Sequence, residues 1–204
     1  MGKFSEYIGS QCGNPRGIVG KCCCLMMNRM NKAMYWSIIK RVQLSETSKM
    51  LDIGYGNGYL AEKIYKKYHS KLYGIDISED MKKAAVKRNQ KGVTAGKIQF
   101  MLGDCCSLDF ENDFFEAAIS VNTIYFWNAP LKGLAEVRRV LKKGGIFYNA
   151  VYSKEWLQKL SYTKRGFRLF SKEELTDLGK EAGFSEVLVK DITAGKSYLV
   201  QYRK

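Results

Sequence analysis

The most constraining feature of this chain is an apolar run that ends in an acid and leads into three glycines. Residues 50–60 read MLDIGYGNGYL, with glycine at positions 54, 56 and 58. The apolar run predicts a buried β-strand, and a helical pattern follows the last glycine. Glycine lets the backbone turn tightly and approach a ligand, and the N–H groups at the helix start face the same point. The stretch therefore predicts an α/β sheet that holds a nucleotide-like molecule.

Downstream of this motif, strand and helix patterns alternate. Strands are predicted over 49–53, 71–76, 97–102, 115–121 and 143–151, with helices near 58–68, 79–91 and 130–142. Such alternation predicts right-handed βαβ units and a parallel sheet. Farther on, Ser171 and Glu174 fit a capping box at a helix start. The last two strands, 186–192 and 196–203, are joined by a turn short enough for an antiparallel hairpin.

The N-terminal 45 residues form a segment of different character. A length of 204 residues with only two prolines predicts one domain, in which residues 1–45 are a helical lid on a core over 46–204. Residues 10–20 are predicted to be a glycine-rich loop, and residues 21–44 a helix broken once. A stripe near one face of that helix is interpreted as packing rather than as a cofactor contact; it contains Leu25, Met26, Met30, Met34 and Ile38.

Composition narrows the class of protein. No apolar run approaches the ~20 residues of a membrane span, and the N-terminus lacks the apolar core of a signal peptide, so we expect a cytoplasmic protein. The net charge of +14 is spread along the chain. A solvated basic surface, an acidic substrate, and nonspecific attraction to nucleic acid or membrane all stay open.

The six cysteines do not form a recognisable framework. Five lie in adjacent runs, at 22–24 and 105–106, without disulfide-framework spacing or the CxxC pairs of a zinc site. Free thiols are the simpler interpretation, and a thiophilic substrate stays open. We predict no metal site.

Polar residues follow four of the predicted strands. Asp52, Asp76, Asp104 and Asn122 come at the ends of strands one to four. The carboxyl ends of parallel strands share one edge of the sheet, so these side chains should converge there. An acid after the second strand suits a ribose with two free hydroxyl groups. The only histidine, His69, falls at the opposite edge, which excludes it as a catalytic base.

With these motifs the chain resembles the class I S-adenosylmethionine (SAM)-dependent methyltransferases. The glycine spacing is GxGxG rather than the dinucleotide GxGxxG. The resemblance is close over residues 49–152 and rests on LDIGYGNG, GIDISEDMKKAA, LGDCCSLDF, FFEAAISVNTIYFW and LAEVRRVLKKGGIF. The last resembles the RVLKPGG signature of small-molecule enzymes, with Lys143 at the usual proline. Gln11, Pro15 and Gly17 match an N-terminal pattern of the same subgroup.

The resemblance implies both a fold and a cofactor site. The fold is a Rossmann-like, mostly parallel seven-stranded sheet of order 3-2-1-4-5-7-6, with strand 7 antiparallel and helices on both sides. Asp76 would take the ribose hydroxyls, Ile77 and Met81 would line the adenine pocket, and Asp104 would meet the adenine amino group beside the Cys105 N–H. The methionyl part of SAM would lie against Asp52, Gly54, Tyr55, Gly56, Asn57, Gly58 and Asn122. Core packing of Met81 and helix capping by Asp76 and Asp104 stay open.

The resemblance also implies in-line transfer of the sulfonium methyl to a small-molecule acceptor, leaving S-adenosylhomocysteine. Such chemistry chiefly requires alignment of the two reactants and makes few demands on acids and bases. We expect acceptor contacts from the N-terminal lid and from five aromatic side chains: Tyr125, Phe126, Trp127, Trp156 and Tyr162. The last two belong to a segment, 152–170, that we predict caps the pocket. Lys164, Arg165 and Arg168 in this segment would suit an acidic acceptor, although solvated surface charge is the simpler interpretation.

Two other functions stay open at this point. The net charge motivates a nucleic-acid or protein methyltransferase, and a noncatalytic sensor of SAM or another nucleotide would need the same pocket. The stretch after the fourth strand, Asn122-Thr123-Ile124-Tyr125, lacks the prolines of the N/D-P-P-Y/F motif of amino-group nucleic-acid methylases. We therefore expect no specific nucleic-acid partner.

Overall fold

The computed structural model describes residues 2–204, apart from the side chains of residues 2–6, 8 and 21. In this part of the chain, seven strands form one sheet of order β3-β2-β1-β4-β5-β7-β6. Their bounds are β1 Lys49–Ile53, β2 Lys71–Asp76, β3 Ile98–Leu102, β4 Phe115–Val121, β5 Leu141–Tyr152, β6 Glu186–Thr193 and β7 Ser197–Arg203. Strands β1 to β5 pair in parallel, whereas β7 is antiparallel to both β5 and β6. The predicted sheet order and the final hairpin are confirmed.

Helices cover the sheet. They are α1 Gly2–Gly13, α2 Gly17–Met30, α3 Lys32–Ile39, α4 Tyr59–Tyr68, α5 Glu79–Arg88, α6 Gln90–Thr94, α7 Pro130–Val140, α8 Lys154–Gln158 and α9 Lys172–Glu181. Short 3-10 turns occupy Ile124–Phe126 and Ser161–Thr163. The helix starts follow local chemistry: Ser78 caps α5, Pro130 opens α7, and Ser171 with Glu174 forms the predicted capping box. None of the helices within residues 2–204 combines the length and apolarity that crossing a membrane requires.

The core lies between the sheet and these helices. Its fully buried members include Met50 and Leu51 on β1, Ile119 on β4 and Phe147 on β5. Strands β1 and β4 are buried along most of their length, and their buried residues are mainly apolar, with Asp52 and Ser120 as the polar exceptions. This buried centre holds the carboxyl ends of the strands in fixed positions relative to one another.

The prediction of a loop over residues 10–20 is wrong. Helix α1 continues to Gly13 and α2 begins at Gly17, so only three residues lie between them. The Gln11 side chain accepts a hydrogen bond from the Arg16 N–H at 2.8 Å and closes this corner. A Cβ added at Gly13 would lie 2.8 Å from the Phe126 ring. Glycine therefore serves close packing here rather than a flexible loop.

The apolar stripe predicted to pack over residues 25–38 is buried only in its second half. Met34 and Ile38 belong to the core, whereas Leu25, Met26 and Met30 are exposed. The cause is the break between α2 and α3 at Asn31, which separates the two helices and directs their faces differently. Packing is confirmed for α3 and wrong for the outer residues of α2.

Candidate active site

A cavity opens at the carboxyl edge of the sheet, where the sequence places its polar residues. Strand ends and the loops after them line one side, with Asp52, Gly54, Tyr55, Gly56, Asn57, Asp76, Ile77, Asp104, Cys105, Asn122, Phe126 and Trp127. The N-terminal helices line the other side, with Cys12, Gly13, Pro15, Cys24, Met27, Asn28, Asn31 and Tyr35. The cavity is thus enclosed between the sheet edge and a helical wall.

The glycine turn after β1 forms the floor of this cavity. Gly54 and Gly56 have φ angles of 71° and 53°, in the left-handed region that glycine adopts without strain. A Cβ at Gly54 would clash with the Thr123 side chain, whereas a Cβ at Gly56 would meet nothing within 4 Å. The backbone at Gly56 therefore faces open space, so a ligand can approach it directly.

Asp76 is held rigidly at the end of β2. Its Oδ2 accepts the Gly56 N–H and its Oδ1 accepts the Ser78 N–H, each at 2.9 Å. Burial raises the pKa of this carboxyl group, and the backbone donors oppose that rise. Each oxygen still has accepting capacity, so the group can receive hydroxyl hydrogens from a ligand.

Asp52 is the deepest charged residue in the cavity. It is only 4% exposed, and its Oδ2 has no hydrogen-bond partner. Burial, together with the negative charge of Asp76, raises its pKa from 3.8 to about 7. A buried carboxylate oxygen without a partner is unfavourable, because its lost hydration is not replaced. The structure therefore provides a position that a cationic ligand group would satisfy.

The predicted adenine end is only partly brought together. Ile77 is 57% exposed and lines the cavity, and Asp104 lies beside it at the rim. Met81 is fully buried, where its Sδ accepts a contact from Cys24 Sγ at 3.3 Å, and it does not line the cavity. The predicted adenine contact of Met81 therefore has no counterpart, and core packing describes this side chain.

Three potential ligand atoms meet at the same rim. Those of Asp104, Cys105 and Cys106 lie within 4.8 Å of one another. However, Asp104 Oδ1 already accepts the Cys106 N–H at 2.8 Å. Burial raises the pKa of the Cys105 thiol well above its ordinary value, which disfavours the thiolate that metal ligation requires. The cluster gives no reason to add a metal to the site.

Asn122 joins the sheet edge to the helical wall. Its Nδ2 donates to Asn31 Oδ1 at 3.0 Å, and its Oδ1 accepts the Tyr125 hydroxyl at 3.1 Å. The same Oδ1 also accepts the Tyr152 N–H at 3.2 Å. The Asn122 side chain is therefore occupied by protein contacts, although the residue lines the cavity.

The five aromatic residues expected at the acceptor divide into two groups. Phe126 and Trp127 line the cavity, and Trp127 Nε1 donates to Thr123 Oγ1 at 3.1 Å. The other three do not line it: Tyr125, Trp156 and Tyr162. Tyr125 is buried, and its hydroxyl group donates to Asn122 Oδ1.

The segment 152–170 forms a second layer outside the cavity. The ring of Phe167 packs against that of Phe126 with centroids 4.6 Å apart, and Trp156 lies under Lys196 Nζ at 4.6 Å from its ring. The 3-10 turn Ser161–Thr163 packs on α1. This segment therefore packs behind Phe126 and against α1. Its basic residues Lys164 and Arg168 do not line the cavity.

The N-terminal wall contains contacts that the sequence analysis did not single out. Asn28 Nδ2 donates to Asn57 Oδ1 at 3.2 Å, and the Tyr35 hydroxyl donates to Asn28 Oδ1 at 3.1 Å. All three residues line the cavity. The available signal was the pair of asparagines, Asn28 and Asn31, in an otherwise apolar helical stretch, because a buried amide needs a polar partner.

The charge of the cavity is opposite to that of the molecule. Its charged lining residues are Asp52, Asp76 and Asp104, and no described lysine or arginine lines it. The chain as a whole carries +14. His69 caps the C-terminal end of α4, just before β2, at the opposite edge of the sheet, as predicted. The cavity therefore favours cationic or neutral ligands and offers no histidine base.

Comparison with known proteins agrees with this geometry. A family model described as "Methyltransferase domain" matches residues 51–149. An uncharacterized methyltransferase, YdaC of Bacillus subtilis (strain 168), is 28% identical over 163 residues, which are 79% of this chain and 85% of YdaC. The chloroplastic 2-methyl-6-phytyl-1,4-hydroquinone methyltransferase 2 of Oryza sativa subsp. japonica is 32% identical over 153 residues, 72% of this chain. The chain spans only 42% of that rice enzyme.

Solved structures share the fold. The crystal structure of the [4+2]-cyclase SpnF superposes with a TM-score of 0.73 at 19% identity, covering 84% of this chain and 80% of SpnF. At this identity the likeness concerns the fold alone, since one fold hosts many activities. The match to the family model and the two curated relatives carry the functional information.

Proposed function

We propose that this chain, which belongs to the class I SAM-dependent methyltransferase family, transfers the methyl group of SAM to a neutral small molecule. The acceptor would lie between the sheet edge and the N-terminal helices. The observation that carries the proposal is the unpartnered Oδ2 of Asp52, buried in a cavity whose floor is the open backbone at Gly56. SAM has an ammonium group and a sulfonium, and both fit a cavity lined by carboxylates.

Each part of the cavity corresponds to one part of SAM. Asp52 would pair with the ammonium group, and the open backbone at Gly56 would let the methionyl part approach closely. The Gly54, Gly56 and Gly58 N–H groups are already donated within the protein and would not serve as its hydrogen-bond donors. Asp76 would accept the two ribose hydroxyl hydrogens. At the rim, Ile77 would cover the adenine ring while Asp104 accepts from its amino group. In this proposal Asn122 contributes only its backbone to the methionyl end, because its side chain is bonded to Asn31, Tyr125 and Tyr152.

SAM supplies an already activated methyl group, so the protein's task is alignment and exclusion of water. Alignment of two reactants can lower a barrier by up to roughly 7–11 kcal/mol. Helices α1 to α3 shield the cavity on the side away from the sheet. Phe126 and Trp127 supply an apolar wall, and aromatic rings also stabilise a neighbouring sulfonium. No histidine lies near, which suits an in-line displacement with little acid–base chemistry.

The lining argues for a neutral acceptor with an apolar part. An acidic acceptor would meet three carboxylates and no cation among the described lining residues. Met27, Val121, Phe126 and Trp127 offer apolar contact instead. The rice relative is named for a hydroquinone, which is a neutral small molecule.

A calorimetric titration tests the cofactor assignment. We expect binding of SAM and S-adenosylhomocysteine and no binding of NAD, because Asp52 would repel a pyrophosphate. Binding of NAD without binding of either adenosyl ligand would overturn the proposal.

Label transfer tests the acceptor class. With methyl-labelled SAM, we expect label in the small-molecule fraction of a metabolite extract. Label in RNA or protein would favour the alternative that the net charge motivates. SAM binding without label in any fraction would favour a noncatalytic sensor.

A further inference from the structure

The outward face of α2 is apolar and uncovered. Ile18 is 80% exposed, Leu25 60% and Met26 55%, and Cys22 is exposed between them. These residues are spaced three or four apart, so they lie on one side of the helix. Exposed apolar side chains are common singly, but a cluster of them marks an interaction site. Exposed Arg29, four residues after Leu25, ends this cluster with a cation.

The opposite face of α2 packs against the protein and contributes to the cavity lining. Cys23 and Cys24 are buried, and Cys24, Met27 and Asn28 line the cavity. Helix α2 therefore has apolar residues on its inner face and on much of its outer face, where Arg29 is an exposed cation. Ile18, Leu25 and Met26 are left without cover by the described part of the chain, so the outward face suits a partner.

Charge identifies the kind of partner. Residues 7–45 contain six lysines and arginines and no acidic residue. Four of these cations are exposed: Arg16 and Arg29 at the two ends of α2, and Lys32 and Lys40 at the two ends of α3. One acid, Asp80, contacts the start of α2, where its Oδ2 accepts the Gly17 N–H at 2.8 Å. Trp36 on α3, half-exposed, adds the amphipathic aromatic side chain that membrane interfaces favour.

We propose that α2 docks on the surface of an anionic lipid bilayer, with its apolar face in the interface and the exposed cations of α2 and α3 against the headgroups. Apolar burial and attraction to anionic lipids add together in such interfacial helices. The helix has 14 residues, too short to span a membrane, so it lies on the surface.

A second copy of this chain is a poorer occupant. In a twofold dimer the same patch meets itself, so the exposed cations would face one another without an acidic partner. The position of α2 beside the cavity also suits docking on a bilayer. Because a helix is about 10–12 Å across, docking would bring the inner wall of the cavity within that distance of the lipid.

Vesicle flotation of the full chain tests this docking. We expect binding to phosphatidylcholine vesicles that contain phosphatidylserine, and little binding to pure phosphatidylcholine, at near-physiological salt. Leu25→Asp should reduce the bound fraction on phosphatidylserine vesicles by at least about tenfold, because a charge cannot enter the apolar interface. The matched control is Leu188→Asp, which makes the same charge change at an exposed position on β6.

The outcomes separate docking from misfolding and from self-association. Both variants should bind SAM as the unsubstituted chain does, which shows that they fold. Equal vesicle binding by Leu25→Asp and Leu188→Asp would overturn the proposal. So would a dimer, seen by sedimentation without lipid, that Leu25→Asp dissociates.

Discussion

Two aspartates at neighbouring strand ends define the chemistry of the cavity. Asp76 is satisfied by two backbone donors, whereas one oxygen of Asp52 has none. The residues therefore serve different purposes although they are chemically identical. Asp76 is fixed by its two backbone donors, and Asp52 is a buried carboxyl group whose free oxygen would, under the proposed function, pair with a ligand cation.

The pKa of Asp52 links ligand-free stability to pH. Because this pKa is about 7 in the folded protein and 3.8 ordinarily, the folded state binds the proton more tightly than the unfolded chain. Its contribution to stability is present below about pH 4 and is lost as the pH rises towards about 7. One pKa unit corresponds to about 1.4 kcal/mol, so the penalty at higher pH is at most about 4 kcal/mol.

Asp52→Asn should therefore stabilise the ligand-free protein while impairing SAM binding. Removal of the buried charge stabilises the folded state, and the new side-chain amide, which lacks hydrogen-bond partners, offsets part of that effect. We therefore expect a net increase of roughly 1–2 kcal/mol in the free energy of unfolding at about pH 8. The difference should vanish near pH 4. Urea denaturation at several pH values measures it, with exposed Asp109→Asn as the control. A destabilised variant at pH 8 would contradict the buried-charge account.

Asp76→Ala should weaken SAM binding by at least about tenfold, because two hydroxyl contacts to a charged acceptor are lost. Titration calorimetry measures the affinity, and Asp109→Ala is the matched control at an exposed carboxylate. Asp76→Asn keeps most of the side-chain shape, so its SAM affinity should lie between the affinities of Asp76→Ala and Asp109→Ala. Unchanged affinity in Asp76→Ala would refute the ribose assignment.

At the scale of elements, Asn31 is the joint between the helical wall and the sheet. It separates α2 from α3, and its Oδ1 accepts hydrogen bonds from Asn122 Nδ2 at 3.0 Å and from the Tyr152 hydroxyl at 3.2 Å. The side chain is buried, so these bonds do not compete with water. One amide thus ties the N-terminal helices to the ends of β4 and β5.

Asn31→Ala should loosen the wall without unfolding the sheet. Loss of the amide leaves buried partners unsatisfied, which should cost about 1–3 kcal/mol. We expect faster amide hydrogen exchange over residues 17–39, unchanged exchange in β1 and β4, and weaker SAM binding. The exposed amide variant Gln43→Ala should change none of these. Uniformly faster exchange across the whole chain would contradict a local role.

The elements differ in how well the sequence predicts them. The strands, the capping box of α9 and the final hairpin follow from local periodicity and turn chemistry, and the strand-end rule placed Asp52, Asp76 and Asn122 at one edge. The glycines of residues 10–20 predicted a loop, but Gly13 lies in a helix, where the absence of a side chain makes room for the Phe126 ring. Met81 and Tyr125 were candidates for ligand contacts, with core packing left open for Met81, and both are buried by packing partners far away in sequence.

At the scale of the whole molecule, charge is segregated. The surface accounts for the net charge of +14, while the charged residues described in the cavity lining are all acidic. A polyanion is therefore attracted to the outside and repelled from the site of chemistry. Under the proposed function, any nonspecific attraction of nucleic acid to the surface would be separate from methyl transfer in the cavity.

Salt should distinguish these two kinds of binding. We expect RNA to bind at low ionic strength and to dissociate steeply as salt rises, because each phosphate contact releases counterions. SAM affinity should change far less, since its ionic contacts are enclosed and weakly screened. Filter binding and calorimetry over the same salt series measure the two affinities, and labelled SAM checks the RNA for methylation. RNA that is bound at high salt and acquires label would show that the basic surface guides a polymer into the site, and the small-molecule proposal would then be wrong.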